Sequence, residues 1–150
     1  MIQRIQSVYL LLALICTIVC MCLPVGAWQP EGMGLNVTLY NLWTVTGEGK
    51  LDFAPWALFA ILLVSCPCML AAIFSYRNRM RQARLCVFTM LLMVGWYAAY
   101  AIFSQVITVK GSFSPDIAAA LPLVNIILLW LARRGIMADE RLVRSMDRIR

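Results

Sequence analysis

The sequence contains no histidine. That removes the side chain that most often moves protons near neutral pH and the commonest metal ligand, and with it any Ser/His/Asp catalytic set. Charge is scarce as well, at 13% of residues against roughly 25% in a typical soluble domain. Four long stretches, residues 7–27, 54–76, 85–107 and 117–132, hold no formal charge at all. Proton relays and ion paths through a membrane usually need ionisable groups inside the spans, so a secondary transporter is disfavoured. Gly-rich phosphate loops, internal repeats and low-complexity segments are absent. Cysteine is missing from the polar segment 28–53, where an exported disulfide framework would place it.

What remains is apolar: 63% of 150 residues. A soluble domain of this size has too large a surface for its volume to hide that much apolar area. A disordered chain needs the opposite composition. The balance points to an all-α integral membrane protein. A bilayer core takes roughly 20 apolar residues as a helix, and the first three runs meet this easily. The fourth reaches it as residues 115–132 if Ser114 caps the helix and Pro115 opens its first turn. The first run, with Arg4 before it and Gly26-Ala27 at its end, has some features of a signal peptide. Its length and the lack of an A-x-A site favour a retained helix, with Trp28 at the membrane interface.

Eleven of the 13 basic residues are Arg, the exceptions being Lys50 and Lys110. The Arg residues fall in three segments: Arg4 at the N-terminus, Arg77, Arg79, Arg81 and Arg84 between the second and third runs, and six from Arg133 to Arg150. Four spans place all three segments on one side. The positive-inside rule makes that side cytoplasmic, with both termini inside a bacterial inner membrane.

Segment 28–53 is then extracytoplasmic. Its partly alternating stretch from Leu35 to Val45, followed by Thr46-Gly-Glu-Gly, predicts a short β-hairpin or irregular cap on the outer end of the bundle. Residues 133–150 place Leu142, Val143, Met146 and Ile149 at helical spacing among charged residues. They predict a cytoplasmic amphipathic helix, either continuous with the fourth span or bent at the junction by Gly135. The whole chain, 1–150, reads as a single membrane domain.

Few residues suggest chemistry. Cys66-Pro67-Cys68 sits in the second run, and thiols beside a helix-opening proline resemble the ion site of heavy-metal pumping ATPases. Cys20, Met21 and Cys22 could add soft ligands. Those pumps also need large nucleotide-binding domains, for which this chain has no room, and the plainer reading is a proline kink flanked by small buried residues. Asn125 is a candidate interhelical hydrogen-bonding group, worth about 0.6–2 kcal/mol. Pro122 removes one backbone donor, which a neighbouring helix can offset.

Both ends resemble a known family. Met1-Ile-Gln-Arg-Ile-Gln-Ser7-Val-Tyr-Leu-Leu-Leu is similar to the start, and the stretch from Ala138-Asp-Glu-Arg to Arg150 is similar to the close, of a family of small four-helix membrane proteins of unknown function from Bacteroidota. Arg81-Gln82-Ala-Arg84-Leu-Cys86 matches in character. The resemblance implies an integral inner-membrane protein with both ends cytoplasmic, and it implies no activity or catalytic residue.

The expectation is therefore a non-enzymatic accessory or scaffold subunit that uses no cofactor. Its cytoplasmic face, carrying Arg4, Arg77, Arg79, Arg81, Arg84, Asp139, Glu140, Arg144, Asp147 and Arg148, would engage a membrane-complex or cytoplasmic protein. Asp139, Glu140 and Asp147 would pair with Arg4, Arg81 and Arg84. Besides the lipid bilayer, a homo-oligomer is open and no specific nucleic acid is expected. The alternative is a small transporter or metal-handling protein built on Cys66 and Cys68.

Overall fold

The computed structural model describes residues 2–30, 34–75, 78–106 and 111–147. Among them the chain forms four long helices and one small antiparallel sheet. Helix α1 (Ile2–Cys22) is followed by β1 (Gly26–Pro30), β2 (Val37–Leu39), β3 (Thr44–Thr46) and β4 (Leu51–Asp52). Helices α2 (Trp56–Phe74) and α3 (Arg79–Val106) come next, then β5 (Gly111–Pro115), a 3-10 turn (Ile117–Ala120) and α4 (Leu121–Asp147). All four helices are long and apolar enough to cross a membrane.

Each helix ends where local chemistry requires it. Pro24 disfavours helical backbone at Leu23, so α1 stops at Cys22, short of the Ala27 limit of the apolar run. Gly26 and Ala27 pass into β1 instead. Trp28 is only 2% exposed, packed on Phe113 with ring centroids 4.9 Å apart. Asn78 starts α3 inside the Arg cluster, its carbonyl accepting from Arg81 at 2.9 Å and Gln82 at 3.1 Å. The expected start of the fourth helix is corrected. Ser114 and Pro115 belong to β5, and the cap is Asp116, whose carboxylate accepts from the Ile117 N–H at 2.7 Å. Pro122 then falls in the first turn of α4, where its missing N–H would have no intrahelical partner anyway. No break occurs at Gly135: α4 runs unbroken to Asp147. Pro67 likewise leaves α2 helical from Trp56 to Phe74, so the opened backbone that a Cys-Pro-Cys ion site needs is not formed.

The helices pack as a ring, α1 on α2, α2 on α3, α3 on α4 and α4 back on α1. Leu10, Leu62, Met93 and Leu129, one from each helix, are fully buried on the axis. Large apolar side chains such as Leu63, Leu91 and Ile127 stand exposed on the outside, where a bilayer would be their solvent.

The cap is larger than a hairpin. Its strand order is β4-β3-β2-β1-β5, antiparallel throughout. β1 is flanked on one side by β2, pairing Ala27 with Thr38, and on the other by β5, pairing Trp28 with Phe113. The β3–β4 turn uses Gly49 at φ +79°, a backbone region that favours glycine. A two-strand cap would be marginal alone. Here the link between α3 and α4 supplies an extra strand, and the sheet is sewn to the helix ends below it.

Candidate functional site

The Arg-rich end of the bundle is formed by the start of α1, the start of α3 and the last turns of α4. Of the residues expected there, Arg77 and Arg148 lie outside the described residues, and for Arg4, Arg144 and Asp147 only the helical backbone is described. The others converge. Arg79, the first residue of α3, donates from Nη1 to the Asp139 carbonyl at 3.1 Å. Arg81, Arg84 and Glu140 line one groove of about 580 Å3 between α3 and α4. Arg133, Arg134 and Arg141 are exposed along α4, and Arg134 lies 5.7 Å from the centre of the Trp130 ring, a cation–π distance.

Asp139 does something other than balance an Arg. Its side chain is buried, and Oδ2 accepts from Gln6 Nε2 at 2.6 Å. This ties α1 to α4. Gly135, one turn before Asp139, makes the contact feasible: a Cβ there would lie 3.0 Å from Gln6 Cγ and 3.2 Å from Gln6 Nε2. Small residues serve close helix approach in this way inside membranes. The consequence is electrostatic. One of the few acids at this end is turned inward onto a neutral amide, while Arg81, Arg84, Arg133, Arg134 and Arg141 face outward.

Asn125 makes a second α1–α4 bond, Nδ2 donating to Thr17 Oγ1 at 2.9 Å, and Thr17 in turn donates to the Ala13 carbonyl at 2.9 Å. Asn125 is fully buried, and its Oδ1 has no partner. An orphaned buried acceptor costs about 1–3 kcal/mol, more than the roughly 0.6 kcal/mol average for an interhelical bond in a membrane. Leu matches the branched shape of Asn. Asn125→Leu should therefore leave stability within about 1 kcal/mol of the parent or raise it, as read by thermal unfolding in detergent.

All six cysteines are free thiols. Cys66 and Cys68 are half-buried on α2, whereas Cys20 is fully buried and directs Sγ at the Ala118 carbonyl, 3.6 Å away. Among the described residues no three of His, Cys, Asp or Glu come together as a metal would require.

The opposite end holds the residue that sequence reasoning missed. Asn41, in the β2–β3 turn, is fully buried. Its Nδ2 donates to the Cys20 carbonyl at 2.6 Å, near the end of α1, and its Oδ1 accepts from Trp96 Nε1 of α3 at 3.1 Å. Its own carbonyl accepts from the Phe59 N–H at 3.1 Å, in the first turn of α2. Helix ends leave such groups without intrahelical partners, and this one asparagine serves three helices. Tyr97 and Tyr100 of α3 extend the network, donating to the Ala119 carbonyl at 2.7 Å and the Val25 carbonyl at 2.8 Å. No spacing rule marks Asn41. The only hint was an amide set among Tyr40, Leu42 and Trp43 in a segment otherwise read as cap.

No curated protein matches the chain. A family described as a domain of unknown function, DUF4293, matches it over residues 2–149. That match covers both helix-rich ends, the cap between them and nearly every residue discussed above, and the chain belongs to this uncharacterised family.

Proposed function

We propose that this protein is a non-enzymatic, multi-pass protein of the bacterial inner membrane, with both termini cytoplasmic, acting as an accessory or scaffold subunit. Its Arg-rich end would bind an acidic protein partner. The observation that carries this reading is the asymmetry of that end: Asp139 is spent on Gln6 inside the bundle while five arginines face outward. Charge beyond what folding uses is what a docking face requires. Arginine also suits paired recognition of carboxylates, because its planar fork binds them through two hydrogen bonds.

The test is affinity purification from native membranes in mild detergent, comparing the parent with Arg81→Glu/Arg141→Glu. Both positions are exposed, so the fold should survive the change. An acidic protein that co-purifies with the parent should be lost from the variant. It should also be released from the parent at about 1 M salt, where charges are screened beyond about 3 Å. Equal recovery of the same partners from both would refute the docking role.

A further inference from the structure

The sheet has two edges, and they are built differently. β4, at one edge, is two residues long and ends on Asp52, whose carboxylate accepts from the Ala54 N–H at 3.1 Å. Shortness and charge protect an edge from foreign strands. β5, at the other edge, is five residues long and carries no charge. Its register decides which groups it offers. The Asp116 N–H reaches the Val25 carbonyl at 3.2 Å, so that pair is hydrogen-bonded. Bonded and non-bonded pairs alternate along an antiparallel ladder, which makes Ala27–Ser114 and Gln29–Ser112 bonded and Trp28–Phe113 non-bonded. The N–H and C=O groups of Gly111 and Phe113, and the Pro115 carbonyl, therefore point away from β1. Among the described residues no strand lies beyond them, and Ser112, Ser114 and Pro115 are exposed.

We infer that this edge of β5 pairs with the same edge of a second copy of the chain, joining two sheets into one across a twofold axis at Phe113. The strand itself, Gly-Ser-Phe-Ser-Pro, selects this occupant. A twofold contact must be self-complementary, and Ser-Phe-Ser reads the same in both directions. In the register with the longest overlap, Phe113 exchanges both N–H···O bonds with its counterpart, and each Gly111 N–H meets a Pro115 carbonyl. Ser112 faces the copy's Ser114 as a close, non-bonded pair whose hydroxyls can bond each other. The Phe113 rings, half-buried in one chain, meet as a cross-strand aromatic pair. No like charges meet. The axis relating two antiparallel strands stands perpendicular to their sheet, so both copies keep the same face toward their helices. Phe113 packs on Tyr100 of α3 from that face. The two bundles therefore lie on one side of the joined sheet, as they must to share a membrane in one orientation.

The contact lies at the opposite end of the bundle from the Arg groove and is independent of the acidic partner, since its assay holds only purified protein and lipid. Ser112→Cys/Ser114→Cys in vesicles of phosphatidylglycerol and phosphatidylcholine is oxidised with copper phenanthroline and run on a non-reducing gel. The parent, with its six native thiols, sets the background. The cysteine pair should raise the dimer band well above it. Adding Gly111→Pro should remove most of that gain, because two lost backbone bonds weaken association roughly tenfold. The Gly111 N–H faces away from β1, so proline there spares the β1–β5 ladder. A second pair of variants tests the register by sedimentation in detergent over a range of concentrations. Ser112→Lys/Ser114→Glu sets opposite charges across the axis and should still dimerise, whereas Ser112→Lys/Ser114→Lys sets like charges there and should stay monomeric. Should the cysteine variant not fold, the charged pair decides alone. No excess of dimer over the parent, a dimer band that survives Gly111→Pro, or equal mass for the two charged variants overturns the inference. Exchange of β5 between chains would set Ser112 opposite the copy's Gln29 and leave Gly111→Pro without effect, so that outcome overturns it too.

Discussion

Asn41→Leu should destabilise the protein by about 4 kcal/mol, a fall of roughly 10 °C in the unfolding midpoint for a chain of this size. The substitution keeps the branching, but its methyl groups are bulkier than the amide and cannot sit 2.6 Å from a carbonyl oxygen, so crowding adds to the loss of partners. The Cys20 carbonyl and the Trp96 indole N–H, both buried, would each lose the group that satisfies them, at about 1–3 kcal/mol apiece. The comparison with Asn125→Leu is the informative part. Both residues are fully buried asparagines and both changes are to leucine. One asparagine satisfies two buried groups, and the other leaves its own oxygen orphaned. Opposite results from matching substitutions would show that satisfaction of partners, rather than polarity or burial, sets the value of a buried amide here. Trp96→Phe supplies the cycle. It removes the indole donor, and the double variant with Asn41→Leu should cost less than the sum of the two singles by about 0.5–3 kcal/mol. Additivity would mean that the 3.1 Å bond contributes nothing.

Gly26→Val should be comparably damaging, for a steric reason. A Cβ at Gly26 would stand 2.6 Å from Phe113 Cζ, 2.8 Å from Phe113 Cε2 and 3.2 Å from the Tyr100 hydroxyl. Phe113 is half-buried and hemmed in by two rings. Trp28 lies 4.9 Å from its ring centre on one side and Tyr100 5.9 Å away on another, and Tyr100 is itself stacked on Trp96 at 5.1 Å. Overpacking of this kind costs about 1–3 kcal/mol, and displacing Tyr100 would add the loss of its bond to the Val25 carbonyl. The check is rescue. Phe113→Leu removes the ring tip, so Gly26→Ala/Phe113→Leu should be more stable than Gly26→Ala alone, measured by thermal unfolding in detergent. A double variant less stable than Gly26→Ala would show that another neighbour sets the limit.

Four helices were legible because an uncharged run of about 20 residues has few other uses. Their ends were less legible. Pro24 ends α1 before the apolar run ends, and α3 extends back into the Arg cluster, its first backbone bonds running to the Asn78 carbonyl. The sheet was read as at most two of its five strands. β2 and β3 carry local alternation and a turn, which a sequence displays. β5 does not: Gly111 to Pro115 looks like a polar linker, and it becomes a strand because β1 offers it an edge. At the Arg-rich end, composition located the charges but not their use. Nothing in Gln6 or Gly135 announces that one reaches across the other to Asp139, since that contact depends on how closely α1 approaches α4. The Asn41 network fails to show for the same reason, being assembled from a turn and three helix ends remote in the chain.

The position of β1 between β2 and β5 has a consequence for biosynthesis. β2 follows β1 within a few residues, but β5 is made roughly 80 residues later, about 4–16 s at ordinary rates of translation. If the sheet began to form in that interval, the edge of β1 that β5 later covers would be bare. A bare edge accepts any compatible strand, and the nearest substitute is the β5 of a neighbouring nascent chain. Crowded synthesis would therefore favour exchange of β5 between chains, and the yield of monomer should fall as expression is driven harder.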